Sequence, residues 1–297
     1  MKAGFDPEHY ERISETVRLN NVEALKRTKF RSHSSLGGQV LDIGCGIGDF
    51  TRDVLFHWNH PCRKIVGVDI SPSMLNYAKR NYGHPDICYD VLDAGSSDVS
   101  AFLHKYGKFD RIYSFYCLHW IRDQKAAFRN IGRLLKDDGE CLLVFCAQFV
   151  LYNVWLEMSK MERWKNIIGD PSLTFADTWH DEQSPTLDGL GKTVRRLVAD
   201  AGMTTLSCDV HPTQLHYRND ELVLGLLVPL VTVKTGTTEE DKDRMRKELS
   251  AKLLDGCTRT PEGSSYPLDL FFVHAQKKAT LLSPLSPEHQ LRPWSQR

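Results

Sequence analysis

Short apolar runs alternate with helical segments over residues 39–147 of this 297-residue chain, and this alternation constrains its fold most. The five runs lie at 39–44, 64–70, 86–92, 109–118 and 140–147. Turn residues occur at or next to their ends. Most are apolar on both faces, which is typical of parallel strands covered by helices on each side. The alternation therefore predicts an α/β fold with a doubly wound, mostly parallel sheet, which we expect to have seven strands.

Helices are expected between these strands. Ser71 is a favourable N-cap residue, and Pro72 fits the first turn of the helix that follows it. Further helices are predicted from about Phe50, near 97–105 and over 124–135. Each strand is thus followed by a segment that can cross over one face of the sheet.

The flanking residues complete one predicted domain over 1–280. A helix over 7–30 and a loop form its N-terminal part (1–38), before the cofactor-binding core at 39–150. Residues 151–280 are expected to supply lid helices and the last strands, with a helix pair inserted between the last two strands. The helices are predicted at 150–168, 191–203, 220–231 and 238–254, and the strands at 204–218 and 266–278. The polar, Pro-containing tail at 281–297 is expected to be disordered.

The composition excludes several classes of partner. Lys+Arg and Asp+Glu number 38 each, so the neutral total gives no electrostatic footprint for nucleic acid. No apolar stretch approaches the roughly 20 residues of a membrane span, and the N-terminus lacks a signal peptide's apolar region. The eight cysteines form no C-x-x-C and show no zinc-ligand spacing, so we expect no metal. These features predict a cytoplasmic monomer or homodimer that acts on a small molecule.

A glycine-rich turn follows the first strand. Gly44, Gly46 and Gly48 alternate with single residues, so the backbone can bend sharply and approach a ligand closely. Asp49 occupies the position where a dinucleotide fingerprint has its last glycine. The carboxylate of Asp42, just before the turn, disfavours a pyrophosphate and suits the ammonium and sulfonium groups of S-adenosylmethionine.

Carboxylates also follow the second and third strands. Asp69 is placed to accept hydrogen bonds from ribose hydroxyls, and Asp93 from the adenine amino group. Each aspartate alone could be a loop or N-cap residue, but three at consecutive strand ends indicate a methyltransferase that uses S-adenosylmethionine. The predicted cofactor-binding residues are Asp42, Gly44, Cys45, Gly46, Asp69, Ile70, Asp93, Ala94 and Ser114.

The fourth strand and its loop carry a more specific signal. The segment SFYCLHWIRDQKAAFRNIGRLLKDDGECLLVF (114–145), together with LDIGCG (41–46) and GVDIS (67–71), resembles the juvenile hormone acid methyltransferases of arthropods. The resemblance extends over about 10–150 and is looser beyond. It implies a Rossmann-like class I methyltransferase that methylates the carboxylate of farnesoic or juvenile hormone acid, a terpenoid with a long apolar tail.

This reaction suits the residues of the loop. A carboxylate is already ionised at neutral pH, so its methylation needs positioning and water exclusion rather than a general base. We predict Trp120 as an indole N–H donor to the acceptor and His119 as a second catalytic candidate. The predicted substrate-binding residues are Phe115, Tyr116, Trp120, Tyr152 and Trp155, although Tyr152 and Trp155 lie at a helical spacing that is more typical of core than of a pocket.

The chain departs from the family at the N-terminal helix. The resemblance implies a glutamine that helps to hold the substrate carboxylate, near Val17, but none is present there and Glu15 would repel an anion. Two alternatives therefore stay open. One is a nitrogen or phenolic oxygen acceptor, with His119 as proton acceptor; the other is a catalytically silent relative that binds cofactor or lipid.

Overall fold

The strands of the chain form one sheet. The computed structural model describes residues 6–31, 37–180 and 186–279, so the predicted tail at 281–297 lies outside the described residues. The parallel half contains β1 (Gln39–Ile43), β2 (Lys64–Asp69), β3 (Ile87–Val91), β4 (Phe109–Phe115) and β5 (Leu135–Gln148). Their order is β3-β2-β1-β4-β5, which brings the carboxyl ends of β1, β2 and β4 together beside the glycine turn.

The other half of the sheet is antiparallel to β5. It contains β6 (Met203–Tyr217), β7 (Thr258–Thr260) and β8 (Gly263–Lys277). β8 lies between β5 and β6 and is antiparallel to both, and β7 pairs with β8. The described sheet thus has eight strands where seven were expected. The additional strand, β7, has three exposed residues and no apolar pattern that a sequence could reveal.

Helices cover both faces of the sheet, as predicted. Successive residues of β1 enter different cores: Val40 packs on one face and Leu41 on the other. Both are fully buried, as expected for a strand covered on both sides. The helices are α1 (Pro7–Glu11), α2 (Ser14–Arg27), α3 (Phe56–Trp58), α4 (Pro72–Asn81), α5 (Ser100–Tyr106), α6 (Gln124–Leu134), α7 (Val150–Lys160), α8 (Leu187–Asp200), α9 (Asp220–Leu227) and α10 (Glu239–Asp255). A π-helical turn, Thr51–Leu55, precedes α3, and α9 and α10 lie between β6 and β8.

Four predicted element boundaries are corrected by the backbone. The helix expected over 7–30 is broken between α1 and α2, where Ile13 turns into the core. α7 ends at Lys160 instead of 168 because Met161 is extended. α8 ends before Gly202, whose φ is +72°, and β4 ends before Tyr116, whose φ is +52°.

The first two helices form an N-terminal strap, residues 7–27, across the carboxyl edge of the sheet. His9 Nε2 lies 2.9 Å from the Leu222 carbonyl oxygen, and the Thr16 hydroxyl donates to the His216 carbonyl at 2.9 Å. The carboxylate of Glu11 accepts hydrogen bonds from two tyrosine hydroxyls of the α4 region, Tyr77 at 2.7 Å and Tyr82 at 2.6 Å. The strap therefore joins α4 to the α9 region. Within the described ranges, no helix has the length and apolar character required to cross a membrane.

Candidate functional site

The glycine turn after β1 is held tightly against the sheet. Gly44 has φ +77°, and its amide donates to the Val68 carbonyl at 2.7 Å. A Cβ at Gly44 would overlap the side chain of Cys117, so only glycine fits. Gly46 has φ +54°, and a Cβ there would face the Tyr10 ring at 3.8 Å. The turn thus presents bare backbone beneath the N-terminal strap.

Asp69 at the end of β2 is fixed by backbone amides. Its Oδ2 accepts from the Gly46 amide at 3.1 Å and its Oδ1 from the Ser71 amide at 2.8 Å. Burial raises the pKa of Asp69 above its ordinary value, although these hydrogen bonds oppose that shift. The same carboxylate therefore anchors the turn and faces the cavity beside it.

A cavity of about 920 Å³ opens at this edge of the sheet. That volume lies near the upper end of the range for ligand pockets, roughly 300–1,000 Å³, so it has room for a cofactor and an acceptor. Nine of the predicted cofactor- and substrate-binding residues line it: Gly44, Gly46, Asp69, Ile70, Asp93, Ala94, Phe115, Tyr116 and Trp120. His119 lines it as well.

Three predicted cofactor residues lie behind the cavity wall. Asp42 is buried and accepts a 2.6 Å hydrogen bond from the Thr51 hydroxyl. Burial raises the pKa of Asp42 to about 7, with smaller contributions from the nearby carboxylates of Asp49 and Asp69. Cys45 is buried beside it, and the Ser114 hydroxyl donates to the Ile43 carbonyl at 3.0 Å. These residues support the turn, and Asp42 acts on the cavity through its charge rather than by contact.

The acceptor side of the cavity has an aromatic wall. Trp120 is stacked on Phe175 with ring centroids 5.0 Å apart and meets Phe149 edge-on at 5.8 Å. Tyr152 and Trp155, predicted to bind substrate, pack on the far side of Phe175 and do not line the cavity. Trp155 is fully buried, and its indole N–H donates to the Gly169 carbonyl at 2.7 Å. The helical spacing of these two residues therefore reflects core packing.

His119 is a buried, neutral imidazole. Its Nδ1 accepts from the Cys146 amide at 3.4 Å, and its Nε2 lies 3.7 Å from the Cys146 sulfur. Desolvation lowers the pKa of His119 to about 3. An imidazole this weakly basic stays neutral at physiological pH and is a poor proton acceptor.

Several cavity residues were not predicted from the sequence. Tyr10, Cys117, Tyr217 and Tyr266 line the cavity, and so does Val17, near which the resemblance implied a glutamine. Glu15 is exposed and absent from the lining, so it does not face the acceptor. No local sequence pattern indicates that the tyrosines of β6 and β8 line the cavity, because their positions depend on pairing between strands far apart in sequence.

An amide does occur on the N-terminal strap, one helical turn after Val17. Asn20 Nδ2 donates to the Tyr116 hydroxyl at 2.9 Å, and Asn20 Oδ1 accepts from the Thr213 hydroxyl at 3.2 Å. The strap is therefore connected to the cavity wall by a side-chain amide at a position that sequence reasoning missed.

Comparison with known proteins agrees with this geometry. Residues 41–141 match a family model described as a methyltransferase domain. The juvenile hormone acid O-methyltransferases of Bombyx mori and Drosophila melanogaster are 35% and 33% identical to the chain over 187 and 178 residues. These alignments cover 63% and 58% of this chain and 63% and 56% of the relatives, so the chain spans less than two thirds of their length.

Solved structures support the fold. The YcgJ protein of Bacillus subtilis has a TM-score of 0.52 at 18% identity, with 90% of this chain and 100% of that chain covered. A protein of Bacillus halodurans C-125 has the same TM-score and coverage at 16% identity.

The glycine turn and the amide-anchored Asp69 lie within the part of the chain that matches the methyltransferase domain model, and their arrangement fits S-adenosylmethionine. The chain is similar to the juvenile hormone acid O-methyltransferases. The predicted fold is confirmed, and the matching domain and the similar insect enzymes support the predicted class and cofactor.

Proposed function

We propose that this protein methylates the carboxylate of an apolar acid of the farnesoic or juvenile hormone acid kind. The observation that carries the proposal is the single cavity that extends from Gly44 and Asp69 to an apolar end lined by Leu215, Val223 and Leu268. A polar cofactor end joined to an apolar space suits an acid with a long hydrocarbon tail. The names and 33–35% identity of the two insect relatives support the same substrate class.

The acceptor end of the cavity favours an anionic nucleophile. S-adenosylmethionine, when bound, supplies an electrophilic methyl group on a sulfonium sulfur. His119 is neutral and weakly basic, so an acceptor that must lose a proton would find no effective base in it. A carboxylate is already ionised and needs only alignment and the exclusion of water. We propose that three aromatic residues that line the cavity, Phe115, Trp120 and Phe149, align the carboxylate and exclude water.

The test is incubation of the full chain with methyl-labelled S-adenosylmethionine and a panel of acids. The panel contains farnesoic acid, a saturated fatty acid and an aromatic acid, with farnesol, a phenol and an amine as acceptors that lack a carboxylate. We expect label in the methyl ester of farnesoic acid above all others.

Two outcomes would contradict the proposal. Label in the phenol or an amine, with none in any acid, favours a nitrogen or phenolic acceptor. Binding of S-adenosylmethionine without transfer to any acceptor favours the catalytically silent relative.

A further inference from the structure

Tyr116 occupies a strained position at the end of β4. Its φ of +52° lies in the left-handed region, which is energetically unfavourable for a non-glycine residue. This turn lets the Tyr116 amide donate to the Val144 carbonyl at 2.7 Å while the ring lines the cavity. The backbone is thus bent at the point where an aromatic hydroxyl enters the acceptor region.

The hydroxyl of Tyr116 is oriented by Asn20. The Thr213 hydroxyl donates to Asn20 Oδ1, which directs the Asn20 NH₂ toward Tyr116. The Tyr116 oxygen accepts that hydrogen bond at 2.9 Å, so its own hydrogen is available to another group. Among the described residues, Asn20 is the hydrogen-bond partner of this hydroxyl.

The surroundings of Tyr116 suit an incoming anion. The titratable groups that act on it are Cys146, Tyr217 and Tyr10, and burial raises the pKa of all three above its ordinary value. All are therefore neutral at pH 7, and the pKa of Tyr116 itself is raised by burial, so its hydroxyl stays protonated. Four carboxylates line the cavity, those of Asp69, Asp93, Asp123 and Asp177, and none of them is among the groups that act on Tyr116.

We infer that the Tyr116 hydroxyl donates a hydrogen bond to the acceptor's carboxylate, and that Asn20 acts as the positioning residue that directs it. This inference rests on the proposed function, because it names the group that recognises the acid. It also gives a reason for product release: methylation neutralises the carboxylate, and a hydrogen bond to an ester is weaker than one to an anion.

The first test compares binding of farnesoic acid with binding of its neutral primary amide, in the presence of S-adenosylhomocysteine. Loss of a hydrogen bond to a charged group costs more than loss of one to a neutral group. We expect Tyr116→Phe to weaken the acid roughly 10- to 150-fold and the amide roughly 2- to 12-fold, with the steady-state change mainly in KM. Tyr106→Phe is the matched control, since its hydroxyl donates to Asp90 outside the cavity, and it should change neither affinity.

The second test examines Asn20 through a double-mutant cycle. Asn20→Ala should weaken acid binding in the unmutated protein and have no further effect in Tyr116→Phe, because Asn20 acts through that hydroxyl. Asn20→Asp should weaken the acid more than Asn20→Ala, since a carboxylate accepts the Tyr116 hydrogen and repels the substrate. A merely structural Asn20 would give additive losses and equal effects on acid and amide.

The possible failures are distinct. If the unmutated protein methylates farnesoic acid and Tyr116→Phe, folded by its melting curve, binds acid and amide as before, the role of Tyr116 is overturned and the proposed function remains. If the unmutated protein transfers no methyl group to any carboxylic acid, both are overturned.

Discussion

At the scale of single residues, Asp69 has two roles at once. Its carboxylate holds the glycine turn through the Gly46 amide and also lines the cavity, where we propose that it binds the ribose of the cofactor. A side chain fixed in this way loses little conformational entropy when a ligand binds, which favours affinity.

The first prediction concerns this carboxylate. Asp69→Ala should weaken S-adenosylmethionine binding roughly ten- to a hundred-fold without unfolding the protein, because charge-assisted hydrogen bonds of about 1.5–3 kcal/mol are lost. Isothermal titration calorimetry measures the change. Asp90→Ala is the control, as its carboxylate pairs with Lys105 outside the cavity. Unchanged affinity in folded Asp69→Ala protein would contradict the prediction.

His119 links the site to stability at low pH. Its folded-state pKa is about 3 against about 6.5 when unfolded, so the unfolded chain binds more protons below pH 6.5. This contribution to stability is complete above pH 6.5 and is lost as pH falls toward 3, by about 2 kcal/mol at pH 5. We therefore expect the free energy of unfolding of His119→Gln to fall less steeply than that of the unmutated protein between pH 6.5 and 5. If urea unfolding shows that the free energy of unfolding falls equally in both proteins between pH 6.5 and 5, this assignment is refuted.

At the scale of elements, the N-terminal strap covers the cofactor turn. Tyr10 lies over Gly46, and Glu11 ties α1 to the α4 region through Tyr77 and Tyr82. These hydrogen bonds lower the pKa of Glu11, so its carboxylate is ionised at neutral pH.

A prediction follows for the strap. Glu11→Ala should increase amide hydrogen exchange in residues 7–11 and raise the KM for S-adenosylmethionine several-fold, because the strap is released from α4. Glu23→Ala is a control on the same strap, since Glu23 pairs with Arg27 on the exposed face of α2. Equal exchange rates in the two variants would show that Glu11 does not hold the strap.

The core elements were predictable for a physical reason, and the strap was not. Each strand from β1 to β5 carries its own apolar pattern and turn residues, so local sequence predicts it. The break at Ile13 and the pairing of β7 depend on contacts with distant segments, which no local pattern encodes. For the same reason Gly44 and Asp69 were predicted in the site, whereas Asn20 and Tyr217 were found only in the folded structure.

At the scale of the whole molecule, charge behind the cavity affects how the protein responds to pH. Asp42 has a pKa of about 7, raised by burial, and faces the turn from behind. Its contribution to stability decreases as pH rises from about 4 to 7, because the native state holds the proton more tightly than the unfolded chain does. Ionised Asp42, in contrast, attracts a cationic ligand.

The ionisation of Asp42 and the neutrality of His119 predict how kcat and the KM for S-adenosylmethionine depend on pH. With saturating S-adenosylmethionine, kcat for a carboxylic acid should be nearly constant from pH 6.5 to 9, because the acid is ionised and His119 is neutral throughout. The KM for S-adenosylmethionine should decrease as pH rises through about 7, and Asp42→Asn should abolish that change. A bell-shaped kcat profile in this range would point instead to a general base.

The contact of the N-terminal strap with β6 has a consequence for synthesis on the ribosome. Thr16 binds the His216 carbonyl, 200 residues further along the chain, and His9 meets Leu222, 213 residues away. At translation rates of roughly 5–20 residues per second, the strap emerges about 10–40 s before its docking partners exist. We therefore expect the parallel half of the sheet to form while the glycine turn is not yet covered by the docked strap. The cavity is completed only when β6 and β8 have been synthesised.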